Sequence, residues 1–342
     1  MSWLARGAAT VGVAVGTLLT ARRGLSQFDN NPDPLGGQVP SFPTSIVRAV
    51  TTDDGASINT LTTSAGTAAG NATDAAAEDE PLVVLVHGLT SSHDDWGPIA
   101  HRLVSAGIQV MAIDQRGHGN STVGDDGYGV PRLGADLAHV FETLDLSNVI
   151  LVGHSMGGMA AMTFLIDHPD VAAARVRSLV LVATTATMSD RRYQAGLRLG
   201  ALDIPVDIAD VNNATLLGAS AVFGHAPSRF MLESALASVA RCPEEVRLQS
   251  TRPLVDYDIT DGLAEIALPT LVVARTRDLL TPFTENEDLA QAIPGARLLR
   301  MPGAGHQIIW EENEHLARLI VDLTVPASSA PTTIASTPTG AH

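Results

Sequence analysis

The sequence predicts an α/β fold in which a mainly parallel sheet is covered by helices on both faces. Short, continuously apolar runs of β character alternate with segments of helical periodicity, as expected of parallel strands that are buried on both sides. This alternation is interrupted once, between two strands, by a long segment of helical character, which indicates a helical cap inserted over the sheet. The predicted strands are 82–86, 109–113, 149–152, 178–183, 270–274 and 297–301.

Helical segments occupy the intervals between these strands, and a hairpin precedes them. The predicted helices are 95–106, 133–144, 156–167, 283–293 and 308–323. Before the first strand, residues 45–52 and 56–62 flank the turn Asp53-Asp54-Gly55, a pattern typical of a β-hairpin. Residues 45–325 are therefore expected to form one domain, with the cap over residues 186–267.

Three further segments lack this regular pattern. Residues 28–44 are rich in proline, glycine and asparagine, which predicts an extended linker. Residues 63–80 contain small and polar residues without periodicity, so we expect a disordered loop insertion there. Residues 326–342 are rich in proline, serine, threonine and alanine, and we expect a disordered tail.

The first 27 residues form a separate apolar segment. Its uninterrupted apolar run, residues 7–21, lies between Arg6 and the pair Arg22-Arg23. The run is shorter than the roughly 20 residues that span a bilayer, and no convincing small-residue cleavage site follows it. Three interpretations remain open: a helix in weak contact with a membrane, an inefficient export signal, or a helix packed on the domain. The chain is expected to be cytoplasmic or membrane-associated through this segment, and export is the less favoured outcome.

Charge and cysteine content exclude several classes of function. The 342 residues include 37 acidic and 21 basic residues, for a net charge of −16. This excess of negative charge argues against nucleic acid as a partner of the main domain. A single cysteine, Cys242, rules out an intrachain disulfide and a cysteine-rich metal cluster.

The strongest local motif is Gly153-His154-Ser155-Met156-Gly157, which follows the apolar strand 149–152 and precedes a predicted helix. A serine at such a sharp strand-to-helix turn projects its hydroxyl above the sheet, and Gly153 and Gly157 leave room for the tight backbone. The helix N-terminus adds a positive dipole where negative charge develops. Ser155 is therefore the predicted nucleophile. A dinucleotide-binding turn is excluded because its G-x-G-x-x-G pattern needs glycine at position 155.

A serine nucleophile needs a base, and His306 is the candidate. It ends the turn Pro302-Gly303-Ala304-Gly305-His306 after the last predicted strand. An imidazole with a pKa near 6.5 accepts and returns a proton at neutral pH. The alternative is an ordinary histidine of a surface loop.

The residue that orients the base should lie between Ser155 and His306 in the chain. Asp278 follows strand 270–274 by four residues and is the leading candidate. The alternatives are Asp190, after the strand 178–183, and three acidic residues of the next helix that we expect to be solvated: Glu285, Glu287 and Asp288.

Residues 82–323 resemble the α/β-hydrolase fold family, in the branch with a helical cap after the sixth strand. Four motifs occur in the family's order: His87-Gly88-Leu89, Asp114-Gln115-Arg116-Gly117-His118-Gly119, Gly153-His154-Ser155-Met156-Gly157-Gly158 and Gly303-Ala304-Gly305-His306. The resemblance is nearest to esterases, monoacylglycerol lipases and cofactor-free haloperoxidases. Dehalogenases and epoxide hydrolases of this family carry aspartate where Ser155 stands. The resemblance also supports Asp278 as the acid.

The oxyanion formed during acyl transfer needs two backbone donors. The amide of Met156, directly after the nucleophile, is one candidate. The resemblance assigns the second to Leu89, with His87 and Gly88 supporting the loop that carries it. The motif beginning at Asp114 is interpreted as structural.

Several other residues are given structural interpretations. Asp114 and Arg116 are expected to tie together the loop after strand 109–113, and His118 is not expected to take part in catalysis. Trp96 is expected to pack the first helix on the sheet. His93, beside two aspartates, is interpreted as part of a solvated loop and not as a metal ligand.

Together these residues predict a serine hydrolase that acts on a small-molecule carboxylic ester with a hydrophobic acyl or alkyl group, without cofactor or metal. The cap is expected to roof the acyl pocket. Packing within the helices explains most of the spacings of its apolar residues, so none is assigned to the pocket individually: Met188, Tyr193, Leu197, Leu199, Leu216, Leu217, Phe223, Phe230, Met231 and Leu232. The alternatives are cofactor-free perhydrolysis of the haloperoxidase type, carbon–carbon bond hydrolysis, and a non-enzymatic ligand-binding member of the fold.

Overall fold

The computed structural model describes residues 28–64, 80–188, 216, 219–224 and 227–325. The predicted apolar segment 1–27 and the predicted tail 326–342 lie outside these residues. The same holds for residues 65–79 of the predicted loop, and for much of the first half of the predicted cap, including Asp190. None of the described helices is long and apolar enough to cross a lipid bilayer.

The described strands form one sheet of eight strands in the order β1-β2-β4-β3-β5-β6-β7-β8. Their bounds are β1 Ser45–Thr51, β2 Ser57–Thr63, β3 Leu82–Val86, β4 Val110–Ile113, β5 Val149–His154, β6 Val176–Val182, β7 Thr270–Arg275 and β8 Arg297–Met301. β1 and β2 form an antiparallel hairpin, and β2 is antiparallel to β4. From β4 to β8 every pair is parallel, which confirms the predicted mainly parallel α/β sheet.

The central strands are apolar on both faces because helices cover both sides of the sheet. In β3, Val83 and Leu85 belong to one apolar core, whereas Val84 and Val86 belong to the other. This division follows from the alternation of side chains along a strand. All four side chains are fully buried. The continuous apolar runs in the sequence therefore correspond to strands buried on both faces.

The helices α1 to α7 lie in the connections between strands, and α8 and α9 follow β8. Their bounds are α1 Gly97–Ser105, α2 Val130–Thr143, α3 Met156–Asp167, α4 Pro169–Arg175, α5 Arg229–Arg241, α6 Glu244–Thr251, α7 Phe283–Ala292, α8 Ile308–Glu311 and α9 Asn313–Thr324. Two predicted helices are divided. A 3-10 turn, His93–Trp96, precedes α1. The predicted helix 308–323 breaks at Glu312, which has the non-helical backbone angles φ −125° and ψ 31°.

The described part of the segment between β6 and β7 contains α5, α6 and two 3-10 turns. Ser228 caps α5, because its side chain accepts a hydrogen bond of 3.1 Å from the amide of Met231. Of the apolar cap residues named from the sequence, five are buried within the apolar cores: Met188, Leu216, Phe223, Met231 and Leu232. Four others lie outside the described residues: Tyr193, Leu197, Leu199 and Leu217.

Two predicted boundaries differ from the structure. The predicted loop 63–80 begins later, since Thr63 ends β2 and its side chain donates to the carbonyl of Val110. The predicted linker 28–44 is packed against the domain, with Phe28 and Phe42 buried in an apolar core. The contact is close, because a Cβ atom on Gly97 would lie 1.8 Å from the carbonyl oxygen of Pro40. Two aromatic side chains thus anchor a segment whose composition is that of a linker.

Arg116 joins the hairpin to α2 and is wholly buried. Its Nε and Nη2 atoms donate to the two carboxylate oxygens of Asp136, at 2.6 and 2.7 Å. Its Nη1 atom lies 2.9 Å from Asp54 in the hairpin turn. Arg116 thus supports the loop as predicted, but it does so through these two carboxylates and not together with Asp114.

Asp114 has its own set of partners, and one of them corrects the prediction for His93. The Nδ1 atom of His93 lies 2.9 Å from the Asp114 carboxylate, and Asn59 and Asn120 also donate to it. His93 is therefore a largely buried partner of Asp114 and not part of a solvated loop. Burial is the largest single effect on the Asp114 carboxyl and would raise its pKa. The hydrogen bond from His93, the nearby His87 and His93 rings and the amide of Asn120 together outweigh burial and lower that pKa from 3.8 to about 2.

We expect Asp114→Asn to be less stable than the wild type at neutral pH, by about 2 kcal/mol, because the carboxylate is stabilised in the folded state. A depressed pKa contributes stability above the unfolded value of 3.8, and this is lost as pH falls through about 2. The difference between the two proteins should therefore shrink between about pH 4 and pH 2. Chemical denaturation at several pH values measures it, and a difference that stays constant with pH would contradict this account.

Candidate active site

Ser155 lies at the turn between β5 and α3 in a strained conformation. Its backbone angles are φ 52° and ψ −121°, a region that side chains disfavour. The turn is fixed from both sides. The amide of Ser155 donates to the carbonyl of Val182, at 3.0 Å, and the Thr184 hydroxyl donates to the carbonyl of Ser155, at 2.7 Å.

Glycines allow this turn to form. A Cβ atom on Gly153 would lie 2.5 Å from the carbonyl oxygen of Gly157, and one on Gly157 would lie 2.2 Å from the carbonyl oxygen of Val86. Neither distance is compatible with a side chain, because the nearest atoms belong to the backbone. The spacing of the motif is therefore a packing requirement of the turn.

The structure brings Ser155, His306 and Asp278 together at the carboxyl edge of the sheet. The Nε2 atom of His306 lies 2.9 Å from the hydroxyl oxygen of Ser155, and its Nδ1 atom lies 2.9 Å from Oδ2 of Asp278. The three residues follow β5, β8 and β7, parallel strands whose carboxyl ends share one edge. An ionised carboxylate only accepts, so Nδ1 of His306 donates and Nε2 accepts the proton of the Ser155 hydroxyl.

The Asp278 carboxylate is buried and receives several donors. Its Oδ1 atom accepts from the amides of Leu280 and Thr281, at 2.8 and 2.9 Å, and Oδ2 accepts from the Thr281 hydroxyl, at 2.8 Å. Burial alone would raise the pKa of the Asp278 carboxyl. The adjacent His306 and the donors of Thr281 outweigh burial and hold that pKa below its ordinary value.

The described alternatives to Asp278 lie in α7. Glu285 accepts a hydrogen bond of 2.7 Å from the hydroxyl of Thr185, and is therefore tied to the segment after β6. Glu287 is partly exposed and Asp288 is exposed on the same helix. Among the described carboxylates, Asp278 is the one that contacts His306.

The loop after β3 places His87, Gly88 and Leu89 beside the serine. Nε2 of the buried His87 accepts from the amide of Gln115, at 3.0 Å, and its Nδ1 therefore donates to the carbonyl of Gly88, at 2.7 Å. Burial and the neighbouring His118 lower the pKa of His87 to about 4, so the ring is neutral at pH 7. A Cβ atom on Gly88 would lie 3.2 Å from Cβ of Ser155, which shows how closely this loop approaches the nucleophile.

Two backbone amides near Ser155 are available as donors. Met156 is the first residue of α3, and its amide has no acceptor within the helix. The amide of Leu89 donates to no acceptor among the described residues. The structure thus leaves both predicted donors unpaired within the part of the chain that it describes.

Sequence reasoning missed the role of His154. Its Nε2 atom donates to the main-chain carbonyl of His306, at 3.0 Å, and the two rings lie 5.1 Å apart. Burial, together with the neighbouring His306, lowers the pKa of His154 to about 3. A neutral His154 thus holds the backbone that carries His306. The only sequence signal was its position directly before the serine.

The remaining histidine of the family motifs, His118, is buried and contacts the carbonyl of Arg116, at 3.0 Å. Burial lowers its pKa. Trp96 is also buried, and its ring packs edge-on against His154. Within the described residues no group of three or more His, Cys, Asp or Glu side chains is arranged to hold a metal ion.

A protein-family model described as the alpha/beta hydrolase fold matches residues 81–313, more than half of the chain. The chain belongs to the α/β-hydrolase fold family. The match covers β3 to β8 and includes every residue of the candidate site.

Individual relatives of this family agree with the assignment. A proline iminopeptidase of Lactobacillus delbrueckii is 30% identical over 278 residues, which cover 74% of this chain and 91% of the relative. The AB hydrolase superfamily protein YisY of Bacillus subtilis is 26% identical over 246 residues, or 71% of this chain and 91% of the relative. An esterase structure from Exiguobacterium antarcticum superimposes with a TM-score of 0.70 at 23% identity, over 82% of this chain and 99% of the other.

These comparisons support a hydrolase of the α/β-hydrolase fold, as the sequence predicted. The likeness to the esterase structure shows the fold alone, because the identity is low. The choice of substrate therefore depends on the chemistry of the site.

Proposed function

We propose that this α/β hydrolase cleaves carboxylic esters through an acyl-enzyme formed on Ser155. The observation that carries the proposal is the continuous row of hydrogen bonds from Ser155 through His306 to Asp278, with both distances at 2.9 Å. A nucleophile, a base and an orienting carboxylate in this arrangement support acyl transfer.

In the first step the Ser155 hydroxyl attacks the ester carbonyl while Nε2 of His306 takes its proton. The carbonyl oxygen becomes an oxyanion and accepts hydrogen bonds from the amides of Met156 and Leu89. Collapse of the tetrahedral intermediate breaks the ester C–O bond, and His306 returns the proton to the departing alcohol. The product of this step is an acyl ester of Ser155.

In the second step water replaces the alcohol. His306 takes a proton from the water, the hydroxide attacks the acyl carbonyl, and the proton goes to the departing Ser155 oxygen. Asp278 stays ionised throughout. It accepts from Nδ1 of His306, fixes the tautomer and stabilises the imidazolium that forms in each step.

An amide substrate is the second candidate, because a proline iminopeptidase is among the relatives. An ester is favoured because its alkoxide leaves more readily than an amine. Parallel assays with p-nitrophenyl esters and with proline p-nitroanilide separate the two. The proposal expects turnover of the esters that Ser155→Ala abolishes, and faster turnover of the anilide than of every ester would overturn it.

The acyl group is proposed to be hydrophobic. Leu279 and Leu280 directly follow Asp278 in the chain and are 71% and 44% exposed. Exposed leucines that follow the acid directly in the chain favour an alkyl chain over a sugar or a charged group.

We expect kcat/KM to rise as the acyl chain lengthens from acetate, and then to fall once the acyl chain fills the space that binds it. Each buried methylene contributes up to about 0.8 kcal/mol, so two more carbons should raise kcat/KM roughly tenfold. A panel of p-nitrophenyl esters from acetate to decanoate, corrected for the background with Ser155→Ala, measures this dependence. A continuous fall from acetate onward would show that the acyl site is small or polar.

A further inference from the structure

The loop that carries His306 is packed directly on a segment of the cap. A Cβ atom on Gly224 would lie 2.0 Å from the carbonyl carbon of Ala304, and one on Gly305 would lie 2.2 Å from the carbonyl carbon of Phe223. The amide of Gln307 also donates to the carbonyl of Val222, at 3.0 Å. The loop and the cap segment 219–224 are thus in backbone contact on both sides of His306.

The carboxylate of Glu311 joins these two segments. Its Oε1 atom accepts from the amide of Gly224, at 3.0 Å, and its Oε2 atom accepts from the amide of Gly305, at 2.7 Å. Gly224 belongs to the cap segment, and Gly305 directly precedes His306. The side chain of Glu311 is 8% exposed, so these charge-assisted hydrogen bonds are little weakened by solvent.

A buried cation offsets the charge of Glu311. The guanidinium of Arg275, at the end of β7, is wholly buried, and its Nη1 atom lies 3.5 Å from Oε2 of Glu311. Burial lowers the pKa of Arg275 to about 10, which leaves it charged at neutral pH. Arg275 lies three residues before Asp278. The loop that carries His306, the cap segment 219–224 and β7, which precedes Asp278, therefore all contact the carboxylate of Glu311.

We propose that Glu311 is a positioning residue for His306. Its carboxylate accepts hydrogen bonds from the amide of Gly305, directly before His306, and from the amide of Gly224 in the cap segment 219–224. This inference rests on the proposed function, in which His306 is the base. Glu311 acts on the backbone that carries the imidazole, through the amide of Gly305 directly before His306. The position of the His306 imidazole therefore depends on the position of the cap segment 219–224.

The first test compares Glu311→Gln with Glu314→Gln. Glutamine preserves the size of the side chain but places an NH2 group against one of the two amide donors. Glu314 is exposed on α9 and pairs with Arg318, so the same chemical change there is a matched control. We expect kcat of Glu311→Gln on esters to fall by about a hundredfold, as a displacement of about 1 Å produces. Glu314→Gln should keep wild-type kcat.

A spectroscopic readout separates positioning from a general loss of stability. The proton on Nδ1 of His306, shared with Asp278, gives a downfield ¹H NMR resonance that depends on the geometry of this hydrogen bond. We expect Glu311→Gln to shift or broaden that resonance at a temperature where the protein remains folded. A purely structural role would lower the melting temperature and leave the resonance of the folded protein unchanged.

A second variant tests the contact without changing charge. Gly224→Ala adds a methyl group that must displace the loop backbone, and Gly224 lacks the positive φ that would itself disfavour alanine. Gly129→Ala is the control, since the nearest atom to its Cβ is 3.8 Å away. We expect Gly224→Ala to reproduce the fall in kcat and the change in the resonance, even if Glu311→Gln does not fold.

The outcomes distinguish this inference from the proposed function. Absence of Ser155-dependent ester turnover in the wild type would contradict the proposed function, and the His306 resonance would still report on positioning. If the wild type is active but Glu311→Gln and Gly224→Ala match their controls in kcat and resonance, the positioning role is overturned. Changes in both readouts, in both variants and in neither control, support it.

Discussion

Replacing Ser155 by alanine is expected to lower kcat on p-nitrophenyl esters by about a millionfold, as loss of the nucleophile does in the serine protease subtilisin. The fold should tolerate the change, because the turn depends on Gly153 and Gly157 and on backbone hydrogen bonds of residue 155. Among the described residues, the hydrogen-bond partner of the hydroxyl is His306. Steady-state kinetics and a thermal melt of the same preparation test both halves of this expectation.

Ser178→Ala provides the control for this experiment. Ser178 is a buried serine of β6, so the same substitution there removes a hydroxyl away from the candidate site. It should leave kcat near the wild-type value. Ester turnover in Ser155→Ala at the level of this control would show that another residue is the nucleophile.

Asp278→Asn is expected to lower kcat by about a thousandfold. The amide of asparagine either presents an NH2 group to Nδ1 of His306 or gives up the donors of Leu280 and Thr281, so the imidazole loses its fixed tautomer. The loss should appear in kcat, because the carboxylate stabilises the imidazolium of the transition state. KM for the same ester should change much less.

Asp288→Asn is the matched control, because Asp288 is an exposed aspartate of the following helix, α7. Its kcat should equal that of the wild type. Equal losses in the two variants would show that Asp278 does not orient the base.

Local patterns in the sequence predicted the sheet, and with the family resemblance they named the three residues that the structure brings together in the candidate site. Buried strands show as continuous apolar runs, and the strained turn at Ser155 requires glycines at fixed spacing. His306 and Asp278 follow the ends of β8 and β7, and parallel strands bring such positions to one edge. These features depend on the chain within a few residues of each element.

The contacts that support the site depend on residues far apart in the chain, and the sequence did not reveal them. His154 bonds to the carbonyl of a residue 152 positions later, and Glu311 to an amide 87 positions earlier. The packing of Phe28 and Phe42 was missed for the same reason. These side chains are buried against residues far away in the chain, whereas the composition around them is that of a linker. A buried polar group needs a partner, but its own neighbours in sequence do not identify that partner.

If Ser155 is the nucleophile and His306 activates it, a reagent that traps an activated serine should react at Ser155. Incubation with a fluorophosphonate, followed by mass spectrometry of the digested protein, tests this most directly. We expect a single phosphonyl adduct on Ser155, none in Ser155→Ala, and strongly slowed labelling in His306→Ala. An adduct on another residue, or continued ester hydrolysis without any adduct on Ser155, would contradict it.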